Sequence, residues 1–176
     1  MAGDEAANSV NAQRAADTDA PTQVLRHEPL RQLLAQAMDS ARLKQHPLSL
    51  LYLVLDQLPA LREAGGEVGA VSGLRPTADL LREEIAYGDV VGRSGPDGFL
   101  LISHGKRLLE AREYAERLRA AVTRLAIDPR IAPSGLSLSI GVAQAGPDER
   151  DPAGLIEQAR RAAQIAAKNG GNQIFS

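Results

Sequence analysis

The sequence predicts an α/β fold of the α+β sandwich kind: a central, mostly antiparallel sheet of about five strands with helices packed against it. Three observations lead there. Strand-like and helix-like stretches alternate along the chain. The alternation breaks once, where two β-prone runs, Val90-Val91 and Phe99-Leu100-Leu101-Ile102, follow each other across Arg93-Ser94-Gly95-Pro96-Asp97-Gly98, as in a hairpin. Leu48-Ser49-Leu50-Leu51-Tyr52-Leu53-Val54-Leu55 is short and almost wholly apolar, the pattern of a strand buried on both faces. The order α–β–α–α–β–β–α–β–α–β is built around a β-α-β-β-α-β core, with an extra helix at the N-terminus.

Residues 1–25 are rich in Ala, Asp, Asn, Gln and Thr and poor in large apolar side chains. They read as a flexible tail or linker, leaving 26–176 as the domain. From His27 a helix runs with Pro29 in its first turn and an apolar stripe of Leu30, Leu33, Leu34, Ala37 and Ala41, until His46-Pro47 stops it. After the buried strand, Asp56 stands as N-cap of a short helix over 57–64 that Gly65-Gly66 ends. A second helix carries Leu74, Ala78, Leu81 and Ile85, and Gly88-Asp89 turns into the hairpin. Every residue of Gly95-Pro96-Asp97-Gly98 suits a turn, and a hairpin tip on a rigid sheet can also reach a ligand.

Lys106 to Ile127 reads as one long amphipathic helix, ended by Asp128-Pro129. Leu136, Leu138, Ile140 and Val142 alternate with small residues, as in a strand. Asp151-Pro152 opens the last helix, Asn169-Gly170-Gly171 closes it, and Asn172–Phe175 forms a short edge strand.

Composition excludes several classes. The chain has no Cys, hence no disulfide framework or thiolate metal site, and its 3 His residues lack zinc spacing. A net charge of −2 gives no bulk drive toward nucleic acid. No apolar run reaches the ~18 residues of a membrane span. The start, Met-Ala-Gly-Asp-Glu, is no secretory signal, so a cytoplasmic domain is expected. No Gly-rich loop follows the first strand, which excludes dinucleotide and Walker fingerprints.

From about His46 to Phe175 the chain resembles the GGDEF family, the diguanylate cyclase domains of bacterial second-messenger signalling. The hairpin reads Arg93-x-Gly95-x-Asp97-x-Phe99 where the family has Arg-x-Gly-Gly-Asp/Glu-Glu-Phe. Leu138-Ser139-Ile140-Gly141-Val142-Ala143 matches a family signature in full, and Asn169-Gly170-Gly171-Asn172 resembles the Asn-Gly-Arg-Asn ending. The resemblance implies a domain that joins two GTP molecules into cyclic di-GMP. Metal ions would be held by the first Asp of an Asp-x-Asp and by the acid at the hairpin tip.

Against that pattern, the first Asp falls on Val54, while the second is Asp56 and the tip acid is Asp97. Pro96 replaces a Gly and removes a backbone donor, and Gly98 replaces the Glu. The guanine-reading Asn and Asp fall on Arg62 and Val71, and the late Lys on Ala167, with Lys168 adjacent. The product-inhibition Arg-x-x-Asp reads Ala86-Tyr87-Gly88-Asp89, keeping only Asp89. Of the opening Leu-Thr-Gly-Leu-x-Asn-Arg, Glu28-Pro29-Leu30 stands as a remnant.

The resemblance therefore implies a degenerate, catalytically inactive domain in cyclic di-GMP signalling. It would serve as a regulatory or protein-interaction module beside an EAL, receiver or sensory domain, or a second copy of itself. No catalytic residue and no metal is expected in the altered motif Gly95, Pro96, Asp97, Gly98 and Phe99. Mg²⁺ is expected only as companion to a nucleotide near Asp56, Asp97 or Lys168, and Asp89 as the remnant of an inhibitory site. Two other readings stay open: a cyclase using Asp56 and Asp97 as surrogate ligands, and a non-catalytic sensor of GTP or a dinucleotide.

Overall fold

The strand Leu48–Leu55 (β1) lies at the centre of the sheet because seven of its eight residues are buried, leaving only Val54 partly exposed. In the computed structural model, which describes residues 12–176, β1 pairs antiparallel with Gly98–His104 (β3) on one side and Leu138–Gln144 (β4) on the other. Val90–Ser94 (β2) pairs antiparallel outside β3, and Ile174–Phe175 (β5) lies parallel to β4 at the far edge. The order is β2-β3-β1-β4-β5, a mostly antiparallel five-stranded sheet.

Strand alternation divides the core into two layers. Leu51, Leu53, Leu55, Phe99, Leu101, Leu138 and Ile140 face helices Leu58–Glu84 (α2) and Leu108–Thr123 (α3). Leu48, Leu50, Tyr52, Leu100 and Ile102 face helices His27–Lys44 (α1) and Pro152–Lys168 (α4). Asp151 caps α4 by accepting the Ala153 N–H at 3.0 Å.

Three sequence expectations are corrected. Of the predicted tail, residues 1–11 lie outside the described residues, but 18–25 pack against the domain. Leu25 bridges Gly92 of β2 in parallel, the Arg93 N–H donates to the Leu25 carbonyl at 2.7 Å, and Thr22 and Val24 are buried. This stretch is held by backbone bonds and by the Asp19 carboxylate, which accepts from the Thr22 N–H and hydroxyl. Hydrophobic periodicity does not register such anchoring.

The two helices expected across 57–85 are present as two arms of α2, separated by a kink at Gly65 and Gly66, but the second begins earlier than expected. Gly66 adopts φ 58°, so the glycines break the helix as expected, but the second arm resumes at once instead of near Leu74. The helix expected to reach Ile127 stops at Thr123. Leu125 and Ile127 still pack on the core, but from non-helical chain.

Tyr114 of α3 ties that helix to the chain just after α2. It is 2% exposed, its phenol oxygen accepts the Ala86 N–H at 2.9 Å, and the Lys106 ammonium lies 4.8 Å from its ring centre. Burial pushes the phenol up to about 12. The Tyr114→Phe variant leaves the Ala86 donor unpaired and is expected to lose about 1–3 kcal/mol at neutral pH. The folded domain keeps the Tyr114 proton up to about 12, whereas the unfolded chain releases it near ~10. This stabilisation is full below pH ~10 and is lost as pH rises through the folded value. Urea melts should therefore show wild type and variant converging across that window.

Candidate functional site

The hairpin tip is a three-residue loop, Gly95-Pro96-Asp97, with Gly95 at φ 65°. It is held from three sides. Arg93 on β2 lies over the Phe99 ring, 5.2 Å from its centre, and its Nη2 donates to the Pro96 carbonyl at 2.8 Å. Burial pushes the Arg93 guanidinium below its ordinary pKa. Beneath the loop, Tyr52 Oη donates to the Ser94 carbonyl at 2.9 Å. In front, Arg62 extends from the first arm of α2. Its Nη1 meets Asp97 Oδ1 at 3.1 Å, its Nη2 the Pro96 carbonyl at 3.3 Å, and its Nε Glu67 Oε1 at 3.2 Å. The hydrogen bond to Asp97 holds the Arg62 pKa above its usual value.

Two positions at the base of the tip are apolar or bare. Val54 pairs with Gly98 on one side and Ser139 on the other, and has no oxygen to offer. At Gly98 the strands come so close that a Cβ would lie 2.7 Å from the Leu53 carbonyl oxygen and 2.9 Å from the Tyr52 ring.

Asp56 does not cap a helix. Its carboxylate accepts from Ser137 Oγ at 2.6 Å, Ser139 Oγ at 2.6 Å and the Asn172 N–H at 2.8 Å, tying the end of β1 to β4 and to the turn after α4. The N-cap position is Gln57. The physical reason is Pro59: it would stand at the third position after an Asp56 cap and has no N–H to donate. Val54, Asp56, Pro59, Ala167, Lys168, Gly170 and Gly171 line an open cleft of about 460 Å³. The structure thus brings Asp56 and Lys168 to one cleft and places Asp97 against Arg62.

Asp89 lies elsewhere, at the other end of the hairpin strands. Its side chain is 1% exposed and accepts from Ser103 Oγ at 3.2 Å, the His104 N–H at 2.9 Å and Lys106 Nζ at 3.1 Å. Its lone pairs are taken up by these three donors of the fold. Val71 is half-buried on the second arm of α2.

The Mg²⁺ implied by the family pattern would be held by two carboxylates facing one point, with substrate phosphates completing its shell. Val54 supplies none, Asp56 is taken up by three donors, and Asp97 is paired with a guanidinium. These residues do not fit the ion. Among the described residues, no group of three or more His, Asp or Glu could hold a metal.

Sequence reasoning missed Arg62 as a partner of the tip and Tyr52 as its floor. Gln23 takes φ 60°, and Glu28-Pro29-Leu30 lies in the first turn of α1.

A five-stranded sheet in this order, with a tight hairpin beside the end of its central strand, defines a cyclase-type α+β domain. The chain belongs to the GGDEF family, the domains of cyclic di-GMP signalling: the family described as "Diguanylate cyclase, GGDEF domain" matches residues 16–173. It is 29% identical over 130 residues to the uncharacterized protein Rv1354c of Mycobacterium tuberculosis strain H37Rv, covering 73% of this chain and 20% of that protein. The chain thus spans about a fifth of the length of the curated relatives it matches. The crystal structure of the FimX GGDEF domain from Pseudomonas aeruginosa is similar at TM-score 0.80 and 28% identity, over 90% of this chain and 98% of that one. The diguanylate cyclase SiaD of Pseudomonas aeruginosa, solved in complex with its activator SiaC, shares the fold at TM-score 0.84 and 21% identity, over 97% of this chain and 65% of that one. No helix among the described residues is long and apolar enough to cross a membrane.

Proposed function

We propose that this GGDEF domain is degenerate and catalytically inactive, and acts in the cytoplasm as a regulatory or protein-interaction module of cyclic di-GMP signalling. The observation that carries this reading is the occupation of both candidate metal carboxylates by the protein's own donors: Asp56 by Ser137, Ser139 and Asn172, and Asp97 by Arg62. Phosphoryl transfer between two GTP molecules depends on positioned cations that neutralise phosphate charge; here Val54 brings no oxygen, Asp56 is engaged by three donors, and Asp97 already faces a guanidinium. Arg62 also stands where the family pattern reads guanine with Asn, so base recognition is lost along with charge neutralisation. Any bound nucleotide would bring its own Mg²⁺. The partner is a protein or a neighbouring signalling domain of the EAL, receiver or sensory kind, or a second copy. SiaD, a GGDEF protein seen with a protein activator, supports that use of the fold.

The test is to incubate the purified chain with GTP and Mg²⁺ or Mn²⁺ and to separate products by chromatography, with calorimetry against GTP and cyclic di-GMP. No dinucleotide and no saturable heat are expected. Product from the unaltered chain, abolished by Asp97→Ala, would establish the cyclase instead. Saturable binding without turnover would establish the sensor.

A further inference from the structure

The hairpin tip carries an acid, yet nothing about its geometry waits for a metal. All three guanidinium nitrogens of Arg62 are engaged at once, on the Asp97 carboxylate, the Pro96 carbonyl and the Glu67 carboxylate. The Pro96 carbonyl is shared by a second guanidinium, that of Arg93, so the loop is gripped between α2 and β2. A planar fork with fixed donor directions suits this three-way contact, which a lysine ammonium could not reproduce.

We propose that Arg62 is the internal counter-ion of the hairpin tip: its guanidinium takes the place at Asp97 that a divalent cation would hold and fixes loop 95–97 against α2. A divalent cation approaching Asp97 must displace this charge or sit beside it, and like charges at that distance repel. The Arg62 side chain is 33% exposed and that of Asp97 61%, so the pair is a solvent-accessible latch and contributes little to global stability. Its effect is local: it makes the shape of the tip independent of metal and nucleotide. The inference rests on the non-catalytic reading and says how the site is kept in that state.

The experiment uses the whole chain, ¹⁵N-labelled, with Mn²⁺ alone as probe. In the wild type the amides of Asp97 and Gly98 are expected to keep their intensity as Mn²⁺ is added. In Arg62→Ala they should lose most of it through paramagnetic broadening, and Arg62→Ala with Asp97→Asn should be silent again. Arg62→Lys should broaden partially, because it keeps the charge without the fork. Unchanged β1 cross-peaks identify a folded variant. Broadening of the wild-type tip equal to that of Arg62→Ala would overturn the counter-ion role, as would a folded Arg62→Ala protein whose tip stays sharp. Cyclic di-GMP formed from GTP by the unaltered chain would instead overturn the non-catalytic reading, so the two failures are told apart.

Discussion

Alanine at position 89 is expected to destabilise the domain by about 3–5 kcal/mol, the cost of removing one partner from a buried charge pair. The Asp89 carboxylate is 1% exposed and the Lys106 side chain 21%, so deleting the acid strands an ammonium that water reaches poorly. The same deletion removes the acceptor for Ser103 Oγ and for the His104 N–H, both close to where β3 gives way to α3. Asp89→Asn should cost less, since an amide oxygen can still accept those two bonds and only the charge is lost. Urea denaturation measures both. A loss below about 1 kcal/mol for the alanine variant, typical of exposed pairs, would show that the cluster relaxes or admits water. Calorimetry with cyclic di-GMP should be the same before and after the change, because Asp89 faces the protein.

Rebuilding the family's acids is expected to fail. Val54→Asp with Gly98→Glu should yield no cyclic di-GMP from GTP and Mg²⁺, and Gly98→Glu alone should cost about 1–3 kcal/mol through overpacking. A side chain at 98 would begin 2.7 Å from the Leu53 carbonyl oxygen, which is backbone and cannot rotate away, and 2.9 Å from the Tyr52 ring. Making room means separating β1 from β3 beside the tip, where Val54 faces Gly98. Arg62 and Val71 would still leave guanine unread. Thermal melts and product chromatography on the single and double variants test this together. Turnover by the double variant at wild-type stability would show that the strands part easily and that Tyr52 is no obstacle.

What the sequence made legible was set locally. The bounds of β1 follow from eight consecutive residues closed by Pro47 and Asp56, and the hairpin from turn residues between apolar runs. The kink in α2 follows from two adjacent glycines. What was not legible depends on register. Asp56 meets Ser137 and Ser139 only because β1 and β4 pair with Leu55 opposite Leu138, and it meets Asn172 116 residues away. Arg62 finds Asp97 35 residues on because α2 leaves the sheet beside the hairpin, which no spacing rule encodes. Leu125 and Ile127 misled for the opposite reason: they keep helical spacing but reach the core from irregular chain.

The close approach at Gly98 also bears on how such a domain changes over generations. With glycine there, β1 and β3 close up and Tyr52 settles under the turn, bonded to Ser94. From that point a mutation restoring an acid at 98 meets backbone before it meets substrate, and it is deleterious until other substitutions have spread the strands. Those substitutions loosen a packed core and bring no advantage while position 98 is still glycine. On the proposed reading, an acid at 98 is expected to be tolerated only together with substitutions that part β1 from β3, which makes the order of such changes matter.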